Sequence, residues 1–194
     1  MTTTIPDIAA YPKTLMLADQ TQVLLRPVEE DDSRKLLEFF RKIPEEERYY
    51  LKENVASPDV VQGWTSDLDF GRVIPIVALS GDNIVADASL HRSRAMARRH
   101  VGEVRIVVDP DYRQVGLGRR LIRELLNIAA SLELCTVTFE LVAHGEERAI
   151  AAAKSLGFEV CATLPERIRD FRGDHRDLVL LELSLNDWQR SYGF

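Results

Sequence analysis

The sequence predicts a single mixed α/β domain, and three features point to it. Strand-like and helix-like segments share the chain, but their order lacks the regular alternation of a doubly wound sheet. The 194 residues suit one domain with a core of its own. No internal repeat, low-complexity segment or long linker divides them. The composition agrees, with 45% hydrophobic and 29% charged residues.

Along the chain, residues 1–20 carry Pro6 and Pro12 and read as a loosely attached arm before a domain over 21–194. "TQVLLRP" from Thr21 is a first strand, ended by Pro27. "EEDDSRKLLEFFRKI" opens with acidic residues that complement a helix dipole and continues with Leu36, Leu37, Phe39 and Phe40. Residues 44–70 hold short helices, and the Glu45-Glu46-Glu47 run reads as a solvated face. "VIPIVALS" (73–80) and "NIVADASL" (83–90) flank Gly81-Asp82, a turn dipeptide that makes them a hairpin. "VGEVRIVVD" (101–109) is a further strand. Leu117 to Leu132 is an amphipathic helix, with Leu117, Leu121, Leu125 and Ile128 widened by Ile122, Leu126 and Ala129. "CTVTFELVA" (135–143) is β-branched and buried in character. "EERAIAAAKSL" (146–156) is helical and closed by Gly157. "FEVCATL" and "DLVLLELSL" are the last strands, and Arg172-Gly173-Asp174 is the turn between them.

Charge and composition exclude several functions. With 25 basic and 31 acidic residues the net charge is −6, so no global field favours nucleic acid or a membrane surface. His91, His100, His144 and His175 lack the close spacing of metal ligands, and no metal is expected. Cys135 and Cys161 lie in apolar, strand-like stretches and read as buried free thiols of a reducing cytoplasm. No signal-peptide region opens the chain, and no apolar run approaches the roughly 18 residues that span a bilayer. The basic cluster Arg92, Arg94, Arg98, Arg99 and His100 lacks interleaved aromatics and reads as a hairpin loop.

The chemistry concentrates in "VVDPDYRQVGLGRR" (107–120), where a strand stops at Asp109-Pro110 and Gly116 and Gly118 precede a helix. Amides in the first turn of a helix have no intrahelical acceptor and carry partial positive charge, which suits phosphate. Glycines there allow a pyrophosphate to lie on the main chain, and Arg113, Arg119 and Arg120 add cationic surroundings. A dinucleotide fingerprint fails because Leu121 takes its third glycine position. A P-loop fails because the glycines are too close and no lysine follows. A softened turn without a ligand remains open on these residues alone.

The run "EVRIVVDPDYRQVGLGRRLI" closely resembles the signature of the GNAT superfamily of N-acetyltransferases, with Arg113, Gly116 and Gly118 at motif positions. "AIAAAKSLGFEV" (149–160) resembles the family's second signature. The resemblance implies a mostly antiparallel twisted sheet of about six or seven strands flanked by about four helices. Its fourth and fifth strands, here 101–109 and 135–143, would splay apart after running parallel. Acetyl-CoA would be the co-substrate. Ile106, Val107 and Val108 would hold its pantetheine by backbone groups, and amides of Gln114, Val115, Gly116, Leu117, Gly118 and Arg119 its pyrophosphate.

Amine attack on a thioester needs a proton acceptor. Glu103 matches the family's glutamate base and shares a strand face with Arg105 and Val107. Partial burial that raised its pKa would strengthen that role. Otherwise it is an ordinary solvent-facing residue. Ala153 occupies the slot where many relatives carry a tyrosine acid, and Glu146 the slot of a frequent asparagine. Ser155 and Tyr112 are weak substitutes, read as a surface residue and a packing residue. These departures keep a second function open, a non-catalytic acyl-CoA sensor or interaction module. The opening "LADQTQVLLRPVEEDDSRKLLEFFRKIPEEERYY" is similar to bacterial protein-lysine acetyltransferase domains of the Pat type. That similarity implies a protein lysine or small-molecule amine as acceptor. The exposed last strands offer an edge for a homodimer.

Overall fold

The computed structural model describes residues 10–192, and its strands form where β-branched and apolar residues run between turn residues. They are β1 (Lys13–Met16), β2 (Gln22–Pro27), β3 (Val73–Ser80), β4 (Asn83–Arg92), β5 (Val101–Val108), β6 (Thr136–Val142), β7 (Glu159–Arg169) and β8 (His175–Ser184). The helices are α1 (Ser33–Lys42), α2 (Glu45–Arg48), α3 (Pro58–Ser66), α4 (Leu117–Ser131), α5 (Glu147–Lys154) and α6 (Leu185–Tyr192). All eight strands form one sheet in the order β1-β2-β3-β4-β5-β6-β8-β7. Every neighbouring pair is antiparallel except β5 and β6.

Alternation along the strands sends side chains to two cores. On one face α1 and α3 bury Leu36, Phe39, Phe40 and Val61 against Val77, Leu79 and Ile84. On the other, α4 buries the Leu117, Leu121, Leu125 and Ile128 stripe that its periodicity predicts. Trp188 of α6 joins that second core. Gly81 (φ 59) turns β3 into β4, and Gly157 (φ 100) follows α5, both in the left-handed region where glycine is unstrained.

The mixed α/β class holds, with eight strands and six helices among the described residues rather than about six or seven and about four. One added strand, β1, falls inside the stretch expected as a loose arm; it pairs with β2 from Lys13↔Leu25 to Met16↔Gln22. Glu124 of α4 also accepts from Tyr11 Oη at 3.1 Å and Lys13 Nζ at 2.6 Å. The first part of that arm lies outside the described residues. The cysteines also depart from expectation. Both are free, but both are exposed. Cys135 precedes β6, and Cys161 sits at an irregularity between Val160 and Ala162 of edge strand β7, its Sγ donating to the Leu180 carbonyl at 3.3 Å.

Arg26 of β2 clasps Asp32, at the start of α1, through two hydrogen bonds of 2.6 and 2.7 Å. Asp32 is 1% exposed. Removing the cation leaves a buried unpaired carboxylate, so Arg26→Leu is expected to cost about 3–5 kcal/mol in denaturant unfolding.

Candidate active site

Strand register opens the site. β5 and β6 pair only from Val101↔Thr136 to Glu103↔Thr138. Beyond Glu103 the two strands part, while β5 stays paired with β4 as far as Ala86↔Val108. Ile106, Val107 and Val108 therefore border a gap on their β6 side and are only partly buried. The Val108 carbonyl already accepts from Arg113 Nε at 3.0 Å.

The glycine pair lies just past the end of β5. Asp109 is buried and caps a short turn by accepting from the Asp111 amide at 3.0 Å. Gln114 (φ 65) and Gly116 (φ 88) then reverse the chain into α4. The first helical bond runs from the Arg120 amide to the Gly116 carbonyl at 3.1 Å. The amides of Leu117, Gly118 and Arg119 precede it and have no intrahelical acceptor. A Cβ at Gly116 would project into open space, and one at Gly118 would meet only Val108 Cγ2 at 3.8 Å, an ordinary contact. Packing against the rest of the chain therefore does not require glycine at 118. Gly118→Ala is expected to stabilise the fold by roughly 0.4–1 kcal/mol, read by denaturant unfolding.

The individual cradle residues play unequal parts. Gln114 and Arg119 are exposed, while Leu117 has a buried side chain and offers only its amide. Val115 is partly buried, its carbonyl accepting from the Ala18 amide at 3.1 Å. Arg113 departs from the role of a free cation, because Glu47 takes its guanidinium at 3.0 and 2.7 Å. The pair ties α2 to the loop that follows β5.

From α2 the chain crosses the gap. Burial, followed by the charge of Asp170, pushes the Tyr50 hydroxyl pKa up. Lys52 Nζ reaches Glu103 Oε1 at 2.7 Å on β5 and Glu140 Oε2 at 2.8 Å on β6. Arg105 Nε donates to the same Glu103 oxygen at 2.8 Å. Burial pushes the Glu103 carboxyl up, but the hydrogen bonds and charges of Arg105 and Lys52 outweigh it and hold it below the usual carboxylate range. The rise that would have made Glu103 a stronger base is thus absent.

Register places Asp87, Ser89 and His91 of β4 opposite Val107, Arg105 and Glu103, on the face covered by α1 and α3. Among the described residues no hydrogen bond or ion pair reaches the Asp87 carboxyl, which burial pushes up to about 7. Burial, followed by the charge of Arg105, pushes His91 down to about 4, and Ser89 Oγ lies 3.0 Å from its Nε2. Ala153, in the slot where relatives carry tyrosine, is buried in the core. Glu146 accepts from the Val142 amide at 2.6 Å, at the end of β6, and burial raises its pKa. Ser155 is exposed, its Oγ donating to the Ala152 carbonyl at 2.7 Å, and Tyr112 packs against the main core.

Sequence reasoning missed Asp87, Glu47, Lys52 and Glu140. Only the alternation of β4 carried a signal for Asp87, a lone carboxylate in an apolar run. Lys52 and its partners are 51 and 88 residues apart, and nothing local marks them. Residues Arg94 to His100 form an exposed loop between β4 and β5. Among the described residues no group of three or more His, Cys, Asp or Glu is placed to hold a metal, and no helix is long and apolar enough to cross a membrane.

Residues 34–158 match a family described as the acetyltransferase (GNAT) family. No curated protein matches the sequence. Among solved structures, the GNAT domain of S. lividans PAT superposes with a TM-score of 0.72 at 20% identity, covering 89% of this chain and 96% of that one. The Salmonella typhimurium protein yncA, solved with its cofactor acetyl-CoA, gives 0.72 at 20% identity, over 84% and 94% of the two chains. A ribosomal-protein-alanine N-acetyltransferase from Brucella melitensis gives 0.71 at 24%, over 83% and 99%.

Proposed function

The chain belongs to the acetyltransferase (GNAT) family, and from that premise we propose that it transfers an acetyl group from acetyl-CoA to a primary amine by direct attack on the thioester. The observation that carries this reading is the parting of β5 and β6 beside the glycine turn of α4. Backbone groups of Ile106 and Val107 border the gap where a pantetheine arm would lie. First-turn amides from Leu117 to Arg119 face outward for the pyrophosphate. The residues leave room for that substrate, since a Cβ on Gly116 would point into open space and one on Gly118 would meet only the Val108 side chain at 3.8 Å.

Glu103 is the proposed proton acceptor, placed on β5 where the gap begins. Glu103 and Glu140 put two carboxylates at the gap with the Lys52 amine already seated between them, which supports a lysine side chain or a small amine as acceptor. With Ala153 in the tyrosine slot, water is the proposed proton donor to the departing thiolate. A second reading of the base rests on Asp87, which lacks a partner and titrates near neutrality.

The test is CoA release with acetyl-CoA and a panel of amines and lysine peptides. Release that requires both substrates is expected. Tight acetyl-CoA binding without release from any acceptor would favour a non-catalytic acyl-CoA sensor, the alternative that Ala153 keeps open.

A further inference from the structure

We propose that Lys52 is an acetylation site of the chain itself, its amine held between Glu103 and Glu140 where an acceptor amine would react. The inference rests on the acetyl transfer proposed above and deepens it by naming one acceptor. Three observations support it. Lys52 Nζ is within 2.7 and 2.8 Å of carboxylate oxygens on the two strands that part. Glu103 belongs to the last paired position of β5 and β6, so the amine sits where the gap opens. Its segment is also tethered at the other end of β5 by the Glu47–Arg113 pair, which keeps the loop across the site. Other lysines lie elsewhere: Lys13 pairs with Glu124, and Lys42 approaches Asp109 at 3.8 Å.

The step balances without another reagent. One ammonium proton of Lys52 passes to Glu103, and the freed amine bonds to the thioester carbonyl carbon. The carbon–sulfur bond breaks, and the second nitrogen proton passes through water to the thiolate, which leaves as CoA thiol. Glu103 returns its proton to water. The product amide carries no charge, so both ion pairs of Lys52 are lost. Glu103 then keeps Arg105 as its partner but loses one of the two cations that hold its pKa down. Modification would thereby free the acceptor seat and make Glu103 a better base.

The test is peptide mass spectrometry of the full chain incubated with acetyl-CoA and no acceptor. Lys52 is expected to gain one acetyl group at a rate independent of protein concentration, at least about tenfold faster than Lys13, Lys35, Lys42 or Lys154. Glu103→Gln is expected to abolish that excess. Acetylation of Lys52 no faster than the other lysines, in a sample that releases CoA with an added amine, would overturn the inference and leave the proposed function standing. A rate that grows with protein concentration would overturn it as well, by showing transfer between molecules. A readout without acetyl-CoA is the NMR titration of Glu103 in Lys52→Gln: its pKa should rise relative to the unaltered chain, and an unchanged titration would contradict the clamp.

Discussion

Replacing Glu103 by Gln is expected to lower kcat roughly 10²–10⁴-fold, the usual contribution of a positioned base, while acetyl-CoA still binds. The substitution keeps the shape of the side chain and removes the acceptor for the amine proton. Steady-state kinetics with calorimetric acetyl-CoA binding separates the two effects. The pH profile then identifies the base. Because Arg105 and Lys52 hold Glu103 below the usual carboxylate range, it is ionised throughout neutral pH. A rate dependent on Glu103 alone has no ascending limb near pH 7 from this group. A limb near 7 that disappears in Asp87→Asn, with Glu103→Gln still active, would transfer the role to Asp87.

Asp87→Asn is expected to stabilise the fold increasingly as pH rises. In the folded chain this carboxyl titrates at about 7 instead of 3.8, with burial as the single cause. A raised folded pKa means that the native state binds the proton more tightly than the unfolded chain. Stability linked to Asp87 is therefore complete below the unfolded value and lost as pH climbs through 3.8 towards 7. The gap between those two values corresponds to about 4 kcal/mol above neutrality, of which roughly 2–3 kcal/mol develops between pH 5 and 8. Denaturant unfolding of both proteins at those two pH values measures the difference. A constant difference would mean that Asp87 finds a partner or water that keeps it ionised.

The parts of this architecture legible in the sequence are those governed by local periodicity and turn chemistry. The stripe of α4, the Gly81 hairpin and Gly157 after α5 each follow from spacings within one element. The glycine turn was legible for the same reason, since the need for an open helix start is written in adjacent residues. β1 was hidden because four residues beside two prolines carry little strand signal, and its place is settled by pairing with β2 and by Glu124. Side-chain electrostatics was legible least. The position of Glu103 follows from alternation along β5. Its pKa depends first on Arg105, two residues on along the same strand, and then on Lys52 from a separate loop, and together they reverse the expected direction. Arg113 has the sequence setting of a phosphate ligand, yet Glu47, 66 residues earlier, engages it.

Binding of acetyl-CoA by the parted strands and the glycine turn predicts a defined pattern in thermal unfolding with acetyl-CoA, CoA, NAD and ATP, each at about 1 mM. A ligand at about 100 times its Kd stabilises the native state by roughly 2.7 kcal/mol, enough to move the midpoint by several degrees. That shift is expected with acetyl-CoA and CoA and not with NAD or ATP. A well-folded sample that responds to neither CoA species would contradict this binding, and Gly116 and Gly118 would then mark only a turn.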